Sequence, residues 1–72
     1  MKVILAGLEP GQQIPAHPES LAMYHFLSGS GVMEVNGERF PVGPGATVIT
    51  PPNATRGMKA ETRLVFLAAK PG

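Results

Sequence analysis

Glycine and proline interrupt this chain at short intervals, and this feature limits its possible folds more than any other. Nine glycines and eight prolines occur in 72 residues, and most intervals between them hold ten residues or fewer. Proline lacks a backbone N–H and glycine loses the most conformational entropy on ordering, so helix is excluded as a main element. The runs between the breaks have strand length. The sequence therefore predicts an all-β fold, with strands at 2–8, 21–27, 31–35, 38–42, 46–50, 55–59 and 62–69.

A tight hairpin is the strongest local signal in the sequence. Asn36 and Gly37 separate two runs of alternating apolar and polar residues. Asn-Gly is the pair that best adopts the positive φ angles of a type I′ turn. Two further turns are predicted at 43–45 and 51–53, and this regular spacing is typical of a β-sandwich or a small barrel. No repeat or second domain is visible, so we expect one domain over residues 1–72.

The size of the chain indicates a partner subunit. A domain of this length buries only about 60% of the surface that its unfolded chain exposes, so its stability as a monomer is expected to be marginal. Small domains usually compensate with disulfides, a metal or oligomerisation, and the sequence contains no cysteine. We expect a homodimer, because symmetric pairs are the commonest soluble assemblies and would cover open edge strands.

The charge pattern and the short apolar stretches exclude two classes of partner. Six Lys and Arg residues balance five Asp and Glu residues, with no basic run and only four aromatic residues. This pattern does not resemble a nucleic-acid surface. No apolar stretch is long enough for a membrane span or a signal-peptide core. We therefore expect neither nucleic acid nor membrane as a partner, and a cytoplasmic location.

The segment from Gly11 to Gly31 has a characteristic spacing. Five residues separate Gly11 from His17, and an apolar run beginning at Phe26 leads into a Gly-Ser-Gly turn. This order resembles the first of the two motifs of the cupin superfamily, in which the corresponding His binds a metal.

A second segment carries the other half of the resemblance. Five residues separate Gly45 from Pro51, one separates Pro51 from Asn53, and two separate Asn53 from Arg56. The cupin second motif has the order Gly, Pro, Gly, His at this spacing. Asn53 stands in for the turn glycine, because Asn also tolerates left-handed backbone angles. Together the two segments cover about 50 of the 72 residues.

The resemblance implies a double-stranded β-helix, which is a small jelly-roll barrel. It also implies a divalent metal held by two His and one Glu from the first motif and one His from the second. In this chain His17 is kept, Glu19 takes the second His position, Ala22 falls at the Glu position and Arg56 at the last His position. The resemblance therefore implies the fold, together with a degenerate metal site.

The leading functional hypothesis is a binding module. Residues two apart on a strand share a face, so His17 and Glu19 would both face the barrel interior, opposite Arg56. Arg56 would either form a bidentate ion pair with Glu19 in place of the metal, or remain free to bind an anionic group. The predicted ligand is a small anionic organic molecule, and the predicted ligand-binding residues are Arg56, His17, Glu19, Tyr24 and Phe26.

Two alternatives stay open at this point. One is a metal-dependent enzyme of the dioxygenase or isomerase type, with His17, Glu19 and His25 holding iron, manganese, nickel or zinc. One argument is against this enzyme. If the even-numbered residues of 21–27 face inward and no bulge intervenes, His25 points outward, toward a subunit contact or water. The cofactor expectation is thus none or one divalent metal, and catalytic residues are unknown. The other alternative is a structural or partner-binding domain with a filled barrel.

Overall fold

Eight strands form the fold of residues 1–71, which are described by a computed structural model. Gly72, the last residue of the predicted 1–72 domain, lies outside the described residues. No helix occurs among the described residues, so the all-β prediction is confirmed. The strands are β1 (Lys2–Leu8), β2 (Gln13–Pro18), β3 (Ala22–Ser28), β4 (Gly31–Val35), β5 (Glu38–Val42), β6 (Thr47–Thr50), β7 (Thr55–Ala60) and β8 (Leu64–Lys70).

The strands pair into two four-stranded sheets. One has the order β1-β8-β3-β6 and the other the order β2-β7-β4-β5. All pairs are antiparallel. Most connections run from a strand of one sheet to a strand of the other. Among residues 1–71, only β4 and β5 are consecutive in sequence and belong to the same sheet. The two sheets face each other around an apolar interior, as in a jelly-roll barrel, and the predicted fold class is confirmed.

Left-handed backbone angles occur where the sequence predicts them. Asn36 and Gly37 have φ angles of 49° and 84°, and Val35 pairs directly with Glu38 across the β4–β5 hairpin. These positive angles are the ones that a type I′ turn requires. Asn53, the residue that replaces a motif glycine, has a φ of 67°. Its left-handed conformation explains how Asn keeps the turn between β6 and β7.

Strand β2 is the element that the sequence-based prediction missed. It contains two prolines, which normally argue against a strand, but β2 is an edge strand of its sheet, where a missing N–H is tolerated. The register with β7 shifts between Ile14 and His17, which marks a bulge. Glu19 lies beyond the end of this strand. The other seven strands begin and end within two residues of their predicted bounds.

Aromatic side chains from β3 and β8 form the centre of the core. The rings of Phe26 and Phe66 lie 5.6 Å apart between centroids, and those of Tyr24 and Phe66 lie 6.2 Å apart. Pairs at these distances add about 0.5–1.5 kcal/mol beyond the burial of their area. The buried apolar cluster consists of Ala22, Tyr24, Phe26, Met33, Val42, Met58, Ala60, Leu64, Phe66 and Ala68.

The part of the chain that the structure describes contains no helix long and apolar enough to cross a membrane.

Candidate functional site

A cavity of about 230 Å³ lies between the two sheets. Its polar lining consists of His17, Tyr24, Arg56 and Lys70, which come from four different strands. This volume is many times the roughly 10–15 Å³ that one water needs on the same measure, so the cavity suits a small organic molecule. The remaining walls are mostly apolar and include Ile4, Ala6, Ile14, Met58, Phe66 and Ala68.

Arg56 is the buried charge of this cavity. The residue is 2% exposed. One of its terminal nitrogens, Nη2, donates to the carbonyl oxygens of Ser20 at 2.6 Å and Ala54 at 3.4 Å, and Nη1 donates to the Tyr24 hydroxyl at 3.4 Å. Among residues 1–71, its buried Nε finds no hydrogen-bond acceptor. The guanidinium is thus held in place by neutral groups, with part of its donor capacity unused.

The predicted ion pair between Arg56 and Glu19 does not form. Glu19 follows the end of β2 and turns to the rim of the cavity, where its carboxylate lies 3.4 Å from His17 Nε2 and 3.6 Å from Lys70 Nζ. No ion pair of the described residues includes Arg56. This alternative was wrong because it treated Glu19 as part of a regular strand, two residues after His17, whereas β2 ends at Pro18. Arg56 therefore lacks a carboxylate partner within the described chain.

His17 lies where the cavity meets solvent. The β2–β7 register pairs His17 directly with Arg56, which explains how two distant sequence positions meet. Its side chain is 46% exposed. Nδ1 lies 2.9 Å from the carbonyl oxygen of Pro15, and Nε2 faces the Glu19 carboxylate. Both partners accept hydrogen bonds, so the ring donates to both only in its protonated form.

Neighbouring donors and positive charge hold the pKa of the Glu19 carboxyl below its ordinary value of 4.5. The largest cause is the backbone N–H of Ser20, 3.4 Å from Oε1. The charge of Lys70 lowers the pKa further, hydrogen bonds from Lys70 and His17 add to this, and partial desolvation opposes it. The rim therefore favours the ionised carboxylate.

A Glu19→Gln variant is expected to lose less stability on acidification than the wild type. Because the folded-state pKa is lowered, the contribution of Glu19 is complete above pH 4.5 and is lost as the pH falls through the folded-state value. Urea unfolding at pH 6 and at pH 3 measures the difference. A Glu38→Gln variant, at an exposed position outside the ion pairs of the described residues, is the control. Equal acid losses in the wild type and Glu19→Gln would contradict the expectation.

Tyr24 and Phe26 both face inward from β3, but only Tyr24 belongs to the cavity wall. Tyr24 is 6% exposed and meets Arg56 through its hydroxyl. Phe26 is fully buried against Phe66 and does not line the cavity. Its predicted role in ligand binding does not match this position, because alternation along a strand gives the face of a residue and not its depth.

His25 lies on the outer side of β3. Its neighbours in sequence are buried while His25 is half-buried, and its Nδ1 lies 2.7 Å from the Thr47 hydroxyl of β6. A shift in the β3–β8 register occurs only after Phe26, so it does not turn His25 inward. His25 is therefore separated from the cavity by the sheet itself.

The side chains at the motif positions do not fit the metal centre that the cupin resemblance implies. Ala22 offers no donor atom, and the guanidinium of Arg56 is a permanent cation with no lone pair to share. Nor does the structure bring His17, Glu19 and His25 together, and among residues 1–71 no group of three or more His, Cys, Asp or Glu could hold a metal ion. The expectation of no cofactor or one divalent metal stays a prediction, and elemental analysis of the purified protein tests it.

Lys70 is the polar cavity residue that the sequence-based prediction missed. It is 28% exposed and pairs with Glu19 at 3.6 Å. The signal was present in the alternation along β8, since Leu64, Phe66, Ala68 and Lys70 lie two residues apart and share one face. Continuing this series of inward-facing residues by one step would have predicted Lys70 as a cavity residue.

Comparison with known proteins agrees with the motif spacing and the fold. The family model described as "Cupin domain" matches residues 4–69. A search of the curated proteins finds no match. Three solved structures show the likeness. A predicted oxalate decarboxylase from Thermotoga maritima is 27% identical over 92% of this chain and 61% of that chain, with a TM-score of 0.87.

The second is a conserved protein of unknown function from Streptococcus pyogenes, 25% identical over 97% of this chain and 64% of that chain, with a TM-score of 0.82. The third, a salicylate 1,2-dioxygenase from Pseudoaminobacter salicylatoxidans, is 19% identical over 92% of this chain and 20% of that chain, with a TM-score of 0.87. The chain thus spans less than two thirds of each of these three proteins. Because the family model matches nearly all of its residues, the chain belongs to the cupin domain family.

Proposed function

We propose that this cupin domain binds a small organic carboxylate in the cavity between its sheets, with Arg56 as the anion contact. The observation that carries the proposal is a buried guanidinium without a carboxylate partner among residues 1–71. Placing an ion in a protein interior costs several kcal/mol unless an opposite charge and hydrogen bonds offset the cost. An anionic ligand would supply both.

The donor geometry of arginine favours a carboxylate. Guanidinium and carboxylate are planar groups that match through two parallel hydrogen bonds, and such charge-assisted pairs are roughly twice as strong as neutral ones. Nε of Arg56 is buried and lacks an acceptor among the described residues, so a ligand carboxylate that reached this nitrogen would fill an unused donor. Tyr24, which accepts from Nη1, helps to hold the guanidinium in its orientation.

The rest of the cavity indicates the other half of the ligand. Its walls are mainly apolar side chains, such as Ile14, Met58 and Phe66, which favour a hydrocarbon body beside the carboxylate. His17 and Lys70 at the rim are already paired with Glu19, so they offer little for a second anionic group. We therefore favour a monocarboxylate with a small aliphatic or aromatic body.

A likeness to a relative supports the same chemical class. The Thermotoga maritima protein, 27% identical to this chain, is described as a predicted oxalate decarboxylase, and oxalate is a carboxylate. The description belongs to that protein, and this chain spans 61% of it. Its contribution here is the carboxylate group alone, because oxalate is a dicarboxylate without a hydrocarbon body.

Benzoate and benzamide test the proposal as a matched pair, because they differ mainly in charge. We expect saturable chemical-shift changes in two-dimensional NMR spectra on addition of benzoate, centred on the Arg56 Nε–H and on residues around the cavity. Benzamide at the same concentration should leave these signals in place. Butyrate tests an aliphatic body, and inorganic phosphate tests an anion without one. Equal responses to benzoate and benzamide, or no saturable response to any carboxylate, would contradict the proposal.

The metal-dependent enzyme is not proposed further, because the motif side chains do not fit the metal centre of the family. A cytoplasmic location remains part of the proposal.

A further inference from the structure

The charges around the cavity are not balanced evenly between its interior and its rim. Arg56 and Lys70 both line the cavity and are permanently positive at neutral pH. The Glu19 carboxylate lies outside the lining, 3.6 Å from Lys70 Nζ and 3.4 Å from His17 Nε2. It therefore offsets the charge of Lys70 and leaves that of Arg56. Within residues 1–71, the cavity and its rim retain one positive charge for a ligand to match, with His17 neutral.

The backbone of the turn after β2 holds Glu19 in this position. The carbonyl oxygen of Glu19 accepts a hydrogen bond from the Asn53 N–H at 2.9 Å. The carbonyl oxygen of the next residue, Ser20, accepts from Nη2 of Arg56 at 2.6 Å. These two bonds attach the turn to the β6–β7 connection and to the guanidinium itself. The Glu19 carboxylate is thus positioned at the rim before any ligand arrives, which lowers the cost of ordering it.

We propose that Glu19 is a specificity-determining residue, whose charge restricts the cavity to ligands with a single carboxylate. The inference rests on the proposed carboxylate binding at Arg56. A second carboxylate that extended from Arg56 to the rim would meet Glu19 and would find Lys70 already paired. Like charges brought together in a site reject the wrong ligand, and specificity often depends on such repulsion as much as on attraction.

Removal of the Glu19 charge should reverse this selection. Glutamine has nearly the shape of glutamate, and the bonds from Asn53 and Arg56 to the turn involve backbone carbonyls that Glu19→Gln retains. Lys70 would lose its carboxylate partner while remaining at the cavity, with 28% of its side chain exposed. Its flexible stem and three donors suit the capture of a carboxylate at a range of positions. The variant should therefore accept a dicarboxylate that spans from Arg56 to Lys70.

Butyrate and succinate test this selection as a matched pair. Their carbon chains are of equal length and differ in the second carboxylate, and glutarate extends the reach by one carbon. Calorimetric titration at pH 7 and constant ionic strength gives the dissociation constants. Wild-type protein should bind butyrate more tightly than either dicarboxylate. Glu19→Gln should improve the affinity for the better dicarboxylate, relative to butyrate, by roughly 5-fold or more.

Two further variants identify the charge responsible. Glu38→Gln removes the same charge at an exposed position that neither lines the cavity nor joins an ion pair of the described residues. It should leave the ratio of the dicarboxylate and butyrate affinities unchanged. The double variant Glu19→Gln/Lys70→Gln should return this ratio close to the wild-type value, because the ammonium group freed by the first substitution is absent. A purely structural role of Glu19 would not produce this pattern.

The outcomes distinguish this inference from the proposed function. Butyrate binding with the same dicarboxylate ratio in wild type and Glu19→Gln would overturn the role of Glu19 and leave the proposed function standing. Tighter binding of a dicarboxylate than of butyrate by the wild type would also overturn that role. A gain that persists without Lys70 would do the same, since another group would then be responsible. No carboxylate binding by the wild type or by Glu19→Gln would overturn both.

Discussion

Replacing Arg56 by methionine is expected to weaken carboxylate binding strongly while changing the stability of the ligand-free protein little. Losing the buried guanidinium should weaken benzoate binding by roughly 100-fold or more, as truncation of a buried charge partner typically costs 2–5 kcal/mol. Replacing buried ions with apolar residues of similar volume often gains about 1–4 kcal/mol. Loss of the three hydrogen bonds to Ser20, Ala54 and Tyr24 opposes this gain by about 1 kcal/mol each, so the net change in stability should stay within about 2 kcal/mol. Calorimetric titration and urea unfolding measure the two effects.

Arg39→Met is the matched control for this variant. Arg39 is an arginine on β5 whose side chain is 77% exposed and pairs with Glu34 on the surface. Removing an exposed pair of this kind typically changes stability by less than about 1 kcal/mol, and benzoate binding should not change. Wild-type affinity for benzoate in Arg56→Met would overturn the proposed ligand contact. A large loss of stability without ligand would instead assign Arg56 a structural role, as expected of a filled barrel.

Replacing Gly29 by alanine is expected to destabilise the domain by about 3 kcal/mol or more. Gly29 lies in the turn between β3 and β4 with a φ of 83°, which side chains rarely adopt. A Cβ at this position would also collide with the backbone carbonyl of Arg63, whose carbon would be 2.7 Å away, and would come within 3.0 Å of Leu64 Cα. Since both contacts are backbone, neither can move aside cheaply. The melting temperature of a domain this small should fall by roughly 12 °C or more.

Gly37→Ala isolates the contribution of the close contact. Gly37 has nearly the same φ, 84°, but no atom lies within 4 Å of the position that a Cβ would occupy. This variant should lose only the roughly 1–2 kcal/mol of left-handed backbone strain. Thermal unfolding of both variants gives the comparison. Equal losses would show that the turn at Gly29 relaxes and that its approach to Arg63 contributes little.

Part of the candidate site was predictable, because the spacing of residues within the two motifs indicates which residues become partners on neighbouring strands. Five residues separate Gly11 from His17, and the second motif ended at Arg56; His17 and Arg56 are direct partners in the β2–β7 ladder. Tyr24 followed from alternation along β3. Residue spacing does not show how deeply a side chain is buried. Phe26 was therefore predicted to bind the ligand, although it lies in the core and does not line the cavity. One of the two alternatives for Arg56 paired it with Glu19, because the end of β2 at Pro18 does not show in the sequence.

The sequence by itself determined the fold class, the left-handed turns and seven of the eight strands. These depend on local chemistry: glycine, proline and asparagine limit the backbone angles of their own positions, and alternation divides each run into two faces. Only the tertiary structure decided that a proline-containing segment is the edge strand β2, that Arg56 is buried without a carboxylate partner, and that Lys70 joins the cavity. These outcomes depend on which strands become neighbours, and on where each strand ends relative to the strand that faces it.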